Sequence, residues 1–422
     1  MPKNSRLLII FIIVFVDLLG FSLILPLLPY YAETYGATPI VVGLLVASYA
    51  AAQLVGAPLL GRLSDRHGRR PVLLLSVTGT LGGFLLLAFA DPIGRTLSTS
   101  FAPQATNQLI LSLLFMSRIL DGLTGGNLTV AQAYITDVTD EQNRAKGLGL
   151  IGAAFGLGFI IGPAVGGALS QWGYELPALV AASVSFVNLL AIFFLLPESL
   201  TPERRANVAR RQRPPFTLKA LAQALNRPKV GPLLYVRFFY GLAFAIFQSI
   251  FALYAQSIGL SSQTTGYVLA YVGLLSVVVQ GGLMGILTRR FRENSLIISG
   301  LWLMTGALLA WAFTTNLGLL LVVLLPLALS GGVLNTVIQS AISKSVSREE
   351  VGGILGITTS IEAITRVVAP SAGGYLLQGL GIWAPGIFTA ALMVWTVIFA
   401  YRRIISPARR ERLATEPEAA NA

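Results

Sequence analysis

Gly61-Arg-Leu-Ser-Asp-Arg-His-Gly-Arg-Arg70 places a charged, glycine-punctuated stretch between two long apolar runs, roughly residues 40–60 and 71–90. Each run is about 20 residues, which at ~1.5 Å per helical residue crosses a ~30 Å hydrocarbon core. The stretch is therefore expected to be a tight turn between two membrane-spanning helices. A merely basic loop would account for the arginines, but not for Gly61 and Gly68 or for Asp65 framed by arginines.

Composition carries that reading to the whole chain. The 422 residues are 55% hydrophobic and only 11% charged, with a mean hydropathy of +0.74, which marks an all-α polytopic membrane protein. Cysteine is absent, so disulfides and thiolate metal sites are excluded. The formal charge of +12 does not indicate nucleic-acid binding, because the basic residues sit in short segments between apolar runs, where membrane topology already demands them. The start, Met1 to Arg6 followed by an apolar run to Tyr30, is too long for a signal peptide and lacks its cleavage site, so it reads as a retained first span.

Twelve apolar spans begin near Leu7, Ile40, Pro71, Gln108, Ala145, Pro177, Val230, Gln263, Ser295, Leu317, Val351 and Ile382. With the connections assigned alternately to two sides, of the 30 Lys and Arg only Arg95 falls on the poorer side, and Arg118, Arg237 and Arg366 fall within spans. The positive-inside rule then puts both termini in the cytoplasm. The longest polar stretch separates six spans from six. It implies an N-terminal bundle (1–196), a cytoplasmic linker (197–229), a C-terminal bundle (230–403) and a tail (404–422). An internal repeat agrees: Pro163-Ala-Val-Gly-Gly167 matches Pro370-Ser-Ala-Gly-Gly374 with Gly149 on Gly356, and Gly61-Arg-Leu-Ser-Asp-Arg66 matches Gly285-Ile-Leu-Thr-Arg-Arg290. The two halves form a parallel pseudo-repeat.

Two motifs familiar from soluble enzymes are set aside. Gly147-Leu-Gly-Leu-Ile-Gly152 follows no strand and opens a membrane span, and Gly56-Ala-Pro-Leu-Leu-Gly61 lacks the Lys-Ser/Thr that holds nucleotide and magnesium. No enzyme activity, cofactor or metal is expected. The fifth span carries Gly152, Gly156, Gly158, Gly162, Pro163, Gly166 and Gly167, which predicts a bent helix in close contact with a neighbour; for Gly156 and Gly162 that neighbour is expected in the opposite half.

Ionisable groups at mid-membrane are costly and usually functional. Asp17 lies near the middle of the first span, Arg118 and Asp121 share a face of the fourth, and Glu362 and Arg366 lie four apart on the eleventh, where they read either as a relay or as a self-neutralising pair. Arg237 is nearer the cytoplasmic end of its span and is expected to reach the interface. The single histidine, His67, reads as a loop residue, so a crossing proton has to use a carboxylate: Asp17, Asp121 or Glu362.

The turn residues Gly61, Asp65, Arg66, Gly68, Arg69 and Arg70, the pair Arg118 and Gly122, and Gly162-Pro-x-x-Gly-Gly167 resemble motifs of the major facilitator superfamily, the last as found in its antiporters. Asp17-Leu-Leu-Gly-Phe-Ser-Leu-Ile-Leu-Pro-Leu-Leu-Pro29, Gln53 with Ala57-Pro-Leu-Leu-Gly61, Ala133-Tyr-Ile-Thr-Asp137 and Leu196-Pro-Glu-Ser199 are similar to the tetracycline-resistance branch of its drug:proton antiporters. The third and ninth spans lack the aspartate that each carries in tetracycline exporters, so the resemblance extends to proton-driven export rather than to tetracycline itself.

The resemblance implies a proton-coupled antiporter exporting small amphipathic compounds by alternating access. It would be a monomer in the plasma (inner) membrane whose partners are its small-molecule substrate, protons and the bilayer. Proton-coupled uptake, or facilitated entry, of a sugar or similar nutrient is the alternative; a transport-dead sensor would not need Asp17, Arg118 and the turn together. Proton coupling is assigned to Asp17, Arg118, Asp121, Glu362 and Arg366, and the substrate cavity to Gln53, Tyr134 and Gln248. Gating is assigned to the turn residues with Asp137: Asp65 is expected to meet the N-terminus of the eleventh span near Val351, and Arg69 to pair with Asp137.

Overall fold

A computed structural model of the chain describes residues 3–101, 103–200, 218–347 and 350–406; residues 201–217 of the expected linker and 407–422 of the expected tail lie outside them. Every regular element among the described residues is a helix. Twelve spans are long and apolar enough to cross a membrane: Arg6–Glu33, Pro39–His67, Arg69–Ala88, Pro103–Val138, Lys146–Trp172, Glu175–Leu195, Gly231–Ser257, Ser262–Arg290, Glu293–Ala312, Leu317–Lys344, Val351–Leu380 and Ala384–Ile405. Their starts lie within a few residues of the apolar runs, because in hydrocarbon every backbone amide must be bonded inside its own helix. Leu8, Val187, Phe194 and Ile286 are left uncovered by protein, as a lipid-facing surface requires, while Tyr134, Phe84, Tyr254 and Trp311 are fully buried.

The decapeptide that opened the reading is not a loop. Helix Pro39–His67 runs through Asp65 and Arg66 to His67, helix Arg69–Ala88 begins two residues later, and Gly68 alone lies between them. Its φ of +107° is a conformation that only glycine adopts without strain. His67 is thus a helix-terminal residue, with ring Nδ1 3.3 Å from the Leu63 carbonyl oxygen. The connection after the third span also differs from an irregular loop, since Ala90–Phe101 is helical and carries an Asp91–Arg95 ion pair at 2.8 Å. The Arg95 guanidinium bonded to Asp91 holds that carboxyl below the usual carboxylate range.

The chain forms two compact units, Met1–Arg213 with Phe251–Leu274, and Pro214–Ile250 with Leu275–Ala422. In the first unit the glycines of the fifth span meet the first span. A Cβ on Gly166 would lie 2.3 Å from the Leu23 carbonyl oxygen, one on Gly162 would lie 2.0 Å from Ser22 Oγ, and one on Gly158 would lie 3.2 Å from Leu18 Cβ. The Ser22 hydroxyl donates across the same contact to the Gly158 carbonyl at 2.8 Å. Gly162 therefore packs within its own six spans, not on the opposite half as expected, because the first and fifth spans are direct neighbours. Gly167 makes the crossing to the later sequence: its added Cβ would stand 3.0 Å from Gly266 Cα and from the Gln263 carbonyl oxygen of the eighth span. Gly156 is half-buried, Pro163 is buried, and a Cβ on Gly152 would meet nothing within 4 Å.

The second unit is built on aromatic and small-residue contacts. Trp311 stands edge-on to Phe247 at 5.0 Å between centroids, and the Tyr240 hydroxyl donates to the Gly331 carbonyl at 3.0 Å.

Candidate functional site

The fourth span, expected to be continuous, is broken. Its first helix, Thr106–Thr124, ends at Gly125 and its second, Asn127–Val138, starts after Gly126. Each glycine is about 1 kcal/mol poorer than alanine in a helix, and the adjacent pair yields at mid-membrane. A broken helix frees backbone carbonyls, which have to find other donors. Gln53 Nε2 donates to the Gly125 carbonyl at 3.1 Å, and the Ser76 hydroxyl sits against both the Thr124 carbonyl and Asn127 Oδ1.

Asp17 is held at this break. Its Oδ1 accepts from Asn127 Nδ2 at 2.6 Å, so the carboxylate of the first span is bonded to a neutral amide at the N-terminus of the second half-helix. One turn before the break, Arg118 Nη1 and Asp121 Oδ2 are 3.3 Å apart, each residue 3% exposed, with the guanidinium 5.5 Å from the centre of the Phe84 ring. Arg118 Nη2 has no hydrogen-bond partner among the described residues. Two carboxylates and one guanidinium thus share a buried region, and the pairing of Arg118 with Asp121 leaves Asp17 uncompensated. A cavity of about 10 Å³, lined by Asp17, Asn127, Asn188, Leu73 and Val77, adjoins it. Asn188, 1% exposed, donates to the Ile13 carbonyl at 3.1 Å and leaves its Oδ1 without a partner.

Asn127, Ser76 and Asn188 escaped the sequence reading, which looked for mid-membrane partners of Asp17 only among charged groups. Two signals were present: the Gly125-Gly126 pair, and a lone amide in the apolar sixth span.

The turn residues assemble a second cluster. Arg69, nearly buried, pairs with Asp65 at 2.6 Å and with Asp137 at 2.9 Å, and donates from Nη1 to Ser64 Oγ at 2.7 Å. Glu198 accepts the first free backbone amides of the third span, Arg69 N at 2.9 Å and Arg70 N at 3.1 Å, which satisfies donors that a helix start otherwise leaves open. The Arg70 guanidinium lies 5.7 Å from the Phe193 ring centre, while Arg66 is exposed. Gly61 meets only a Thr129 methyl at ordinary contact distance. Asp65 is engaged by Arg69 of its own unit.

In the second unit the expected Glu362–Arg366 pair is not formed. Glu362 Oε1 accepts from Arg237 Nε at 3.1 Å and from Nη2 as well, and Arg237 is 7% exposed instead of reaching the interface. Arg237 lies over the Tyr240 ring at 5.9 Å, and its Nη1 has no partner. The seventh span crosses the eleventh at a level where Arg237 reaches Glu362 first. Of the expected cavity residues, Gln248 is exposed and Gln53 half-buried beside a ring cluster in which Phe21 lies 5.1 Å from Tyr49 and 6.4 Å from Phe159. Tyr134, expected in the cavity, is fully buried, and its hydroxyl donates to the Pro197 carbonyl at 3.0 Å, so it anchors the chain after the sixth span.

Comparison with known proteins places this geometry. A family model described as Major Facilitator Superfamily matches residues 10–294 and 233–421. The chain is 31% identical over 414 residues to the class C tetracycline resistance protein of Escherichia coli, covering 97% of this chain and 98% of that one. It is 28% identical over 384 residues to solute carrier family 22 member 18 of Rattus norvegicus, covering 90% of each. A solved bacterial homolog to the human lysosomal transporter Spinster, inward-facing and occupied, shares the fold with a TM-score of 0.73 at 16% identity over 96% of this chain and 98% of that one.

Proposed function

Because the chain belongs to the major facilitator superfamily, we propose that it is a proton-coupled antiporter that exports small amphipathic compounds by alternating access. It is a multi-pass membrane protein, a transporter of small molecules and not of the enzyme families its glycine motifs imitate. The proposal adds the plasma membrane, cytoplasmic termini, a monomeric state, two six-helix halves joined at residues 197–229, and protons as the second partner.

Asp17 is the observation that carries it. A carboxylate in the middle of a span is costly unless it is paired or neutralised; among the described residues Asp17 forms no salt bridge, and the Arg118 guanidinium is committed to Asp121. A proton neutralises Asp17 in one state. In another, a shift of the second half-helix that carries Asn127 would break the 2.6 Å bond and bring Asp17 toward Arg118, favouring release. Substrate held beside Gln53 and the Phe21, Tyr49 and Phe159 rings favours the deprotonated state, which is the coupling antiport requires. The relationship to the class C tetracycline resistance protein supports the export direction, and the absence of an aspartate from the third and ninth spans supports a compound other than tetracycline. The Arg69 cluster is the gate in this reading: Asp65, Asp137 and Glu198 hold the second, third and fourth spans together with the segment after the sixth, and release them as one body.

Purified protein in proteoliposomes, offered a panel of amphipathic compounds with and without an imposed pH gradient, tests the reading. Accumulation driven by the gradient is expected for the parent, and Asp17→Asn is expected to lose it while keeping exchange at zero gradient. An Asp17→Asn protein that still concentrates substrate with parental pH dependence removes Asp17 as the coupling site, with Asp121 and Glu362 next to be tested.

A further inference from the structure

Arg366 lies at the midpoint of the helix Val351–Leu380, about 22 Å from its start at ~1.5 Å per residue, and it is exposed. Among the described residues no carboxylate pairs with it, because Glu362, one turn earlier, is taken by Arg237. The face that carries Arg366 is not a lipid face. Gly352, Gly356, Thr359, Ala363 and Arg366 follow one another at spacings of three and four, a single stripe of small and polar residues, and an added Cβ on Gly352 or Gly356 meets nothing within 4 Å. The large apolar exposed residues of this helix, Val368, Tyr375 and Leu380, all lie beyond Arg366, toward its far end. A guanidinium in open space at mid-span faces water, since hydrocarbon would be prohibitive. Arg237, on the seventh span and bonded to Glu362, is buried, and its Nη1 has no hydrogen-bond partner among the described residues. Two guanidiniums therefore share one carboxylate, and the local charge is +1.

We propose that Arg366, backed by the Arg237–Glu362 pair, is an anion-recognition site, and that the transported compounds include organic anions whose carboxylate docks on Arg366. This rests on the reading of the chain as a small-molecule transporter and names the substrate class. The guanidinium offers a planar fork of N–H donors that matches a carboxylate in two parallel hydrogen bonds. The Arg237–Glu362 pair sets the geometry: Glu362 Oε1 is bonded to Arg237, and no salt bridge joins Glu362 to Arg366, so the fork of Arg366 is available.

Binding of 2-naphthoate, its methyl ester and 2-naphthylmethylamine to the purified full chain at pH 7 tests the assignment, in vesicles of phosphatidylcholine alone and with phosphatidylglycerol. The parent is expected to bind naphthoate about tenfold more tightly than the ester, the gain of one charge-assisted bidentate contact. Arg366→Gln removes that preference and Arg366→Lys restores part of it. Equal or weaker binding of naphthoate by the parent, or a preference that survives Arg366→Gln, overturns the proposal. So does a preference present only without phosphatidylglycerol, which would assign the site to lipid headgroups. Transport of the three probes under a pH gradient separates this from the broader reading. Gradient-driven transport without charge preference sinks the anion site alone, and an Arg366-dependent preference without gradient-driven transport sinks proton coupling alone.

Discussion

Each unit holds an arginine–carboxylate pair inside its spans, Arg118 with Asp121 and Arg237 with Glu362, and the two leave opposite charges over. In the first, Arg118 pairs with Asp121 on its own helix, and the uncommitted group is an acid, Asp17. In the second, Arg237 reaches across to Glu362 on another helix, and the uncommitted group is a base, Arg366. A pair made within one helix consumes neighbours and leaves a distant residue unbalanced. A pair made between helices takes one member away from its in-helix partner and frees that partner one turn away. In the reading proposed above, two acids and one base make a proton site in the first unit, and one acid with two bases makes an anion site in the second.

The sharpest way to break this comparison is to neutralise the acid of each unit. Asp17→Asn should lower gradient-driven accumulation on the order of 100-fold, and Glu362→Gln by no more than about fivefold, because the coupling free energy belongs to the first unit. Equal losses in a proteoliposome assay would erase the distinction.

Stability comes next. Arg118→Ala strands Asp121, which is nearly inaccessible to water, at a cost of about 3–5 kcal/mol. Arg237→Ala strands Glu362, which is half-exposed and screened, so its thermal unfolding midpoint in detergent should fall visibly less. Arg118→Ala should also impair exchange at zero gradient.

A packing test separates the fifth span into its two ends. Gly166→Ala forces a methyl into the Leu23 carbonyl and should cost about 1–3 kcal/mol, whereas Gly152→Ala points into open space and should stay within about 0.5 kcal/mol. Similar midpoints for the two variants would mean the first and fifth spans are not in close contact.

The smallest effect concerns Asp91, whose carboxyl is held low by Arg95. The pair's contribution exists above the ordinary carboxylate range and disappears as pH falls through the lowered value. Arg95→Gln and the parent should therefore unfold alike in acid and differ only slightly at neutral pH, since the pair is exposed.

Much of this was legible in the residues. The twelve spans follow from hydropathy and length, because the bilayer leaves a backbone no alternative to the helix. Asp17 stood out as a lone mid-span acid, and Arg118 with Asp121 as neighbours, because three residues along a helix fixes which side chains share a face. The Gly125-Gly126 pair that breaks the fourth span was present in the sequence but not singled out. Intervals along one helix were thus readable without the structure. Which face turns toward which neighbour was not. That Glu362 meets Arg237 and not Arg366, that Gly162 meets Ser22, that Glu198 caps the third span and that Tyr134 is sealed against Pro197 all depend on the rotation and axial level of whole helices. Those are set by the summed packing of every side chain in the bundle, and no local spacing encodes them.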